Sequence, residues 1–271
     1  MTTSTTTDAD LLAAVVAATH AAGAQLVERF GARPRLETPA QVRAAIDAND
    51  EASLAVLRPL LAAARPGARE AEDEEAGGAL PAGEWWVIDP VEGNINHLHG
   101  TDEWAVTVTL VRDDVPVLTV VHLPLAGPSG TTYTALAGAG AFRDGQRLHV
   151  STKPALATAL VGTGQAKPGE DAATFRRIGA SMTAMLPAAL VVRAWVPATL
   201  PLVQVAAGEL DAFWQYSDVR AGLLGGALLV TEAGGTVTDT AGRPWTTSST
   251  DFLAAAPGLH TAAVDVLSTV A

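Results

Sequence analysis

The stretch Trp85-Trp86-Val87-Ile88-Asp89-Pro90-Val91-Glu92-Gly93-Asn94-Ile95-Asn96-His97 decides how the rest of the chain is read. An apolar run of strand character ends in a carboxylate, passes a proline that blocks further ladder pairing, and delivers a second carboxylate beside a glycine. Asp89 and Glu92 can thus converge above the carboxyl end of a strand with the Val91 carbonyl beside them, an oxygen-rich set of the kind a hard cation takes. Gly93-Asn94 then opens a predicted helix, whose first N–H groups and positive dipole end suit a phosphate oxygen. A solvated acidic turn fits the same residues, and the motif alone does not choose between the two.

Working outward, Thr7-x-x-Asp10 marks a helix start, and Leu11, Leu12, Val15, Val16, Leu26 and Val27 keep helical spacing until Gly31. A second helix is predicted from about Asn49 to Ala64, with Pro59 predicting a kink or a late start. The acidic, glycine-rich segment 69–84, which holds Glu74-Glu75, reads as a surface loop. Strands follow over 105–111 and 115–123, then 133–136 and 141–150, the last with Asp144-Gly145 as a tight hairpin turn. Beyond them come a strand at 160–164, a helix at 171–180, strands at 189–192 and 212–214, and a helix at 200–207. A last helix opens at Ser217 or Asp218 and closes at Gly234-Gly235. Interleaved helices and mixed strands predict a layered α/β protein.

Composition bounds the chemistry. At 271 residues and 48% hydrophobic, the chain can bury a large core. Without cysteine there is no thiolate or disulfide chemistry, so a bound metal should be hard, Mg²⁺ before Zn²⁺. The net charge of −12 opposes a nucleic-acid polymer as partner. No basic and apolar leader opens the chain, and no run reaches the roughly 18 uninterrupted apolar residues of a spanning helix, so no membrane partner and a cytoplasmic address are expected.

The motif has company. Glu74-Glu75 precedes it. Asp218 follows far downstream, with Gly222 and Glu232-Ala233-Gly234-Gly235 after it. Between them lie Gly138-Ala139-Gly140-Ala141-Phe142 with Gly145, and Val205-Ala206-Ala207-Gly208-Glu209-Leu210-Asp211-Ala212. In this order the segments resemble the inositol monophosphatase family over nearly the whole chain. The resemblance implies an αβαβα sandwich of α/β (α+β) class, divided into a flexible tail over 1–8, an α/β half over 9–150 and a second over 151–271. It implies Mg²⁺ held by Glu74, Asp89, the Val91 carbonyl, Glu92 and Asp218, with Asp50, or less readily Asp47, at a peripheral acidic position near the start of the second helix. Glu74 and Asn94 would orient the attacking water, and Gly93 and Asn94 would cradle phosphate. A homodimer is also implied.

Departures from the family pattern cluster at the site. Glu92 stands for an aspartate, Asn94 for a threonine, and an amide is a poor proton acceptor. His97 stands for an apolar aromatic; with His99 it either adds acid–base capacity at the pocket edge or is a solvated loop residue. Arg220 stands for a small residue, and either reaches an anionic substrate group or pairs with Asp218. Gln215 falls where inositol-cleaving members carry a substrate-contacting glutamate, in a segment about four residues shorter than theirs, which argues against inositol itself as substrate. Two readings stay open. One is Mg²⁺-dependent hydrolysis of a small phosphomonoester, a sugar phosphate or a nucleotide 3′-phosphate. The other is a repurposed fold that has lost phosphate hydrolysis and uses the cleft for another reaction or for ligand binding.

Overall fold

The computed structural model describes residues 7–30, 36–71, 78–166, 169–217 and 220–270. Two long helices, α1 (Asp8–Phe30) and α2 (Pro39–Ala64), come first. A seven-stranded sheet follows, built in chain order from β1 (Arg69–Glu70), β2 (Glu84–Glu92), β3 (Ala105–Arg112), β4 (Val115–Leu123), β5 (Thr131–Leu136), β6 (Gly140–Arg143) and β7 (Gln146–Arg147). The short helix α3 (Asn94–His99) leaves the end of β2. All pairings in this sheet are antiparallel except β1 against β2.

The second half alternates. It runs β8 (Leu160–Gly164), α4 (Ala172–Met185), β9 (Val191–Trp195), α5 (Thr199–Ala206), β10 (Ala212–Gln215), α6 (Arg220–Glu232), β11 (Thr236–Thr238), β12 (Phe252–Ala255) and α7 (Pro257–Leu267). Its five strands pair in the order β11-β12-β10-β8-β9.

Three apolar clusters stack these elements. α1 and α2 cover one face of the first sheet through Leu11, Val15, Leu26, Leu57 and Leu61 against Trp86, Ile88, Val106 and Val120. α5 and α6 fill the space between the sheets, touching Val121 and Tyr133 on one side and Phe213 and Phe252 on the other. α4 and α7 close the far face with Met185, Leu259, Ala263 and Leu267. The result is the five-layer αβαβα order, each buried aliphatic side chain contributing roughly 1.5–3 kcal/mol. α1 is long and apolar enough in composition to cross a membrane, but its apolar stripe is the one that seats on this sheet.

Several local expectations need correction. α2 starts ten residues earlier than the apolar spacing suggested, because Thr38 and Gln41 form a capping box around Pro39. Asp50 and Asp47 therefore lie mid-helix. Pro59 does not interrupt α2; it lies on the exposed side, as does Ala55, the residue whose carbonyl would accept from position 59 in an unbroken ladder. The ladder also resumes after Pro90 instead of ending there. Strands β11 and β12 and helix α7 had no expectation at all.

Candidate active site

The site grows from a bulge in β2. Pairing with β3 holds from Glu84↔Arg112 to Asp89↔Thr107 and resumes at Glu92↔Ala105, so three steps on β2 span two on β3. In an unbroken strand, residues three apart face opposite sides. The extra residue cancels that alternation, and the carboxyl groups of Asp89 and Glu92 come within hydrogen-bonding reach of each other. Val91 has no partner in the β3 register. Gly93 then turns the chain at φ 81°, where an added Cβ would meet the Glu103 carbonyl at 2.8 Å and Pro197 at 3.0 Å. Only glycine fits both the conformation and the space.

Glu92 is buried, 4% exposed. Burial pushes its pKa up, against the opposing hydrogen bonds of Thr199 and Asp89. Its carboxyl group is held from the other half of the chain: the Thr199 hydroxyl, at the start of α5, donates to Oε2 at 2.8 Å and stands 3.0 Å from the Gly222 carbonyl of α6. Two adjoining carboxyl groups, one of them buried, beside a stretch of backbone outside the β3 register make an all-oxygen donor set that fits a hard divalent cation. Glu74 and Asp218, the other expected ligands, lie outside the described residues.

One face of α2 holds the loop that follows. The Ile46 carbonyl, Asn49, Asp50 and Ser53 recur at helical spacing and all contact the motif. Ser53 Oγ donates to the Pro90 carbonyl at 2.8 Å. Asn94 Nδ2 donates to Asp50 Oδ1 at 2.8 Å and to the Ile46 carbonyl at 3.2 Å, while Asn94 Oδ1 accepts from Asn49 Nδ2 at 2.9 Å. Both amide hydrogens of Asn94 are thereby engaged, leaving one lone pair on its oxygen for a further donor.

The structure corrects two of the expected substrate contacts, His97 and Gln215. His97 is neither a pocket-edge group nor a solvated one. It is 3% exposed, its ring packs edge-on against Phe30 and Trp104, and Nε2 meets the Leu26 carbonyl at 3.0 Å. Burial lowers its pKa, the Leu26 hydrogen bond opposing and Arg29 adding to the effect. Gln215 is also buried, folded back against Gly164 with Nε2 donating to the Ser217 carbonyl. Arg220 reaches across to the Gly78 carbonyl, at 3.1 Å from Nη2, and so ties the first turn of α6 to the chain leaving the acidic segment. α3 does begin after Gly93, but it spans only Asn94–His99, so any phosphate contact rests on its first amides more than on a helix dipole.

The other motifs act as clamps. Glu232 accepts from the backbone N–H groups of Gly138 and Gly140 at 2.7 and 2.8 Å, joining α6 to the hairpin. Asp211, 1% exposed, accepts from the Leu160 N–H and from Lys153, both at 2.7 Å. Residues 8–270 match the model of the inositol monophosphatase family.

The chain belongs to that family. It is 33% identical over 235 residues to an inositol-1-monophosphatase of Rhizobium meliloti, covering 86% of each chain. The Nus factor SuhB of Pseudomonas aeruginosa is 34% identical over 157 residues, 58% of this chain and 57% of that protein. Among solved structures, an inositol monophosphatase from Anabaena superposes with a TM-score of 0.77 at 25% identity, covering 96% of both chains. The suhB protein of Bartonella henselae gives 0.80 at 27%, covering 95% of this chain and 98% of that one. As an inositol monophosphatase family member the chain is a phosphoric monoester hydrolase, of a family that is generally metal-dependent. Sequence reasoning missed Thr199, Asn49 and Ser53. Asn49 and Ser53 lay within the predicted second helix, but nothing local showed that its polar face meets the motif, and Thr199 has no local signal at all.

Proposed function

We propose that this chain hydrolyses a small phosphomonoester, a sugar phosphate or a nucleotide 3′-phosphate, with Mg²⁺ as the required cation. The observation that carries the reading is the carboxyl pair Asp89 and Glu92, brought to one side by the β2 bulge directly before Gly93-Asn94. Glu74, Asp89, the Val91 carbonyl, Glu92 and Asp218 would hold the cation. Bound there, Mg²⁺ supplies charge neutralisation and a more acidic water for in-line attack on phosphorus.

The chain's own groups do the rest. The leading amides at Gly93 and Asn94 bind phosphate oxygens, and the remaining lone pair of Asn94 Oδ1, with Glu74, orients the water. Thr199 keeps the longer Glu92 side chain from swinging across the pocket. The Arg220 guanidinium, at the first turn of α6, steadies the chain beyond the acidic segment. The protein works in this reading as a cytoplasmic homodimer on a small phosphorylated substrate, without a membrane or a nucleic-acid polymer as partner.

The test is phosphate release from a panel of sugar phosphates and nucleotide monophosphates, with Mg²⁺, with EDTA, and with Mg²⁺ restored. Release that needs Mg²⁺ is the expected result. An Asn94 whose two amide hydrogens are both taken within the protein favours the second reading, a repurposed cleft, and no release from any member of the panel with Mg²⁺ would establish it against the first.

A further inference from the structure

We propose that His97 is a positioning residue for Asn94, acting through Asn49. This rests on the reading above that Asn94 belongs to the catalytic site. The argument starts from a carbonyl. Leu26 O can only accept, so His97 Nε2, 3.0 Å away, must carry the ring proton. Nδ1 of the neutral ring is then a bare acceptor, and the group facing it at 3.1 Å is Asn49 Nδ2. At the other end of the same amide, Arg29 Nε donates to Asn49 Oδ1 at 2.8 Å. The Asn49 amide is held from both sides and cannot turn over.

Its second hydrogen therefore points at Asn94 Oδ1, at 2.9 Å. That fixes the Asn94 oxygen toward Asn49 and its nitrogen toward Asp50 and Ile46. A donor–acceptor chain runs from a carbonyl of α1 to the site, and each link admits one assignment. Phenylalanine at position 97 would keep the contacts with Phe30 and Trp104 but offers no acceptor, leaving an N–H of the buried Asn49 without its partner. The exchange of threonine for Asn94 and of an apolar aromatic for His97 are thus two parts of one change: an amide at position 94 has an orientation to set, and a hydroxyl does not.

The experiment uses the intact protein. Nitrogen NMR of the imidazole should show His97 as the Nε2–H tautomer. Hydrogen exchange of the Asn94 side-chain amide should quicken about tenfold in His97→Phe and stay near wild type in His97→Gln, which keeps both an acceptor and a donor. In turnover, His97→Phe should lower kcat about tenfold with KM within about twofold, and should change kcat little in an Asn94→Thr background. An Nδ1–H tautomer, or unchanged Asn94 amide exchange in His97→Phe, overturns the proposal; so does an equal loss of kcat in both backgrounds. If wild type releases no phosphate while both NMR results hold, the catalytic reading fails and the positioning role stands.

Discussion

The loop from Asp89 to His97 and the clamps at Glu232 and Asp211 are all family motifs, yet they differ in what their carboxylates meet. Glu232 and Asp211 accept from backbone N–H groups and bind one element to another. Asp89 accepts from the N–H of Val91, within its own turn, and lies against the buried carboxyl group of Glu92. The loop's polar groups each have a partner from a distant element: Thr199 for Glu92, and the α2 face for Asn94. Motifs that hold architecture and motifs that do chemistry are thus separable by their partners.

The sharpest way to break that comparison is Asp89→Ala. Phosphate release should fall by at least about 10³-fold with a smaller loss of stability than Asp211→Ala shows, since the Asp89 carboxylate accepts within its own turn and adjoins the buried Glu92; a larger loss in thermal unfolding would put Asp89 among the clamps. Asp211→Ala should do the reverse. Denaturant titration should show a loss of about 3–5 kcal/mol, because the Leu160 N–H and Lys153 lose a buried partner, with the kcat of the folded fraction within about threefold of wild type.

His122 sharpens the architectural side. Burial and the neighbouring His20 push its pKa down from 6.5 to about 4, against the raising effects of Asp144 and the Thr131 hydrogen bond. The unfolded chain thus takes up this proton more readily, so stability contributed by neutral His122 is intact above pH 6.5 and is lost as pH falls toward 4, by up to about 3 kcal/mol. His122→Asn should flatten that part of the acid slope in urea unfolding at successive pH values. The smallest effect expected is from Gly225→Ala, whose new methyl would come within 2.6 Å of Thr119 Oγ1 and 2.9 Å of Thr109 Oγ1. A loss of about 1–3 kcal/mol in the same assay, without a change in KM, would place α6 packing with the clamps.

How much of this could be read in advance follows from distance along the chain. Asp89, Glu92 and Gly93 were legible because a carboxylate at a strand end, a proline and a glycine state their geometry within five residues. The layered fold was legible because strands β3 and β4 are rich in β-branched and apolar residues and are separated by the turn residues Asp113 and Asp114. α2 was cut short because Thr38 and Gln41 mark its start in a segment with few apolar residues. The closing elements were missed because β11 has three residues and β12 four, too few to show a period. His97 was misread because its partners lie 71 and 48 residues away, and Thr199 was invisible because 107 residues separate it from Glu92.

The polar stripe on α2 has a mechanical consequence. Four consecutive handholds at a helix's own spacing cannot be released one at a time by sliding or rotating the helix, since a displacement that frees Ser53 also frees Asn49 and Asp50. The catalytic turn thus inherits the rigidity of a 26-residue rod, and its backbone amides should open to solvent together with those of α2, as a single cooperative event instead of the independent flicker of an ordinary surface loop.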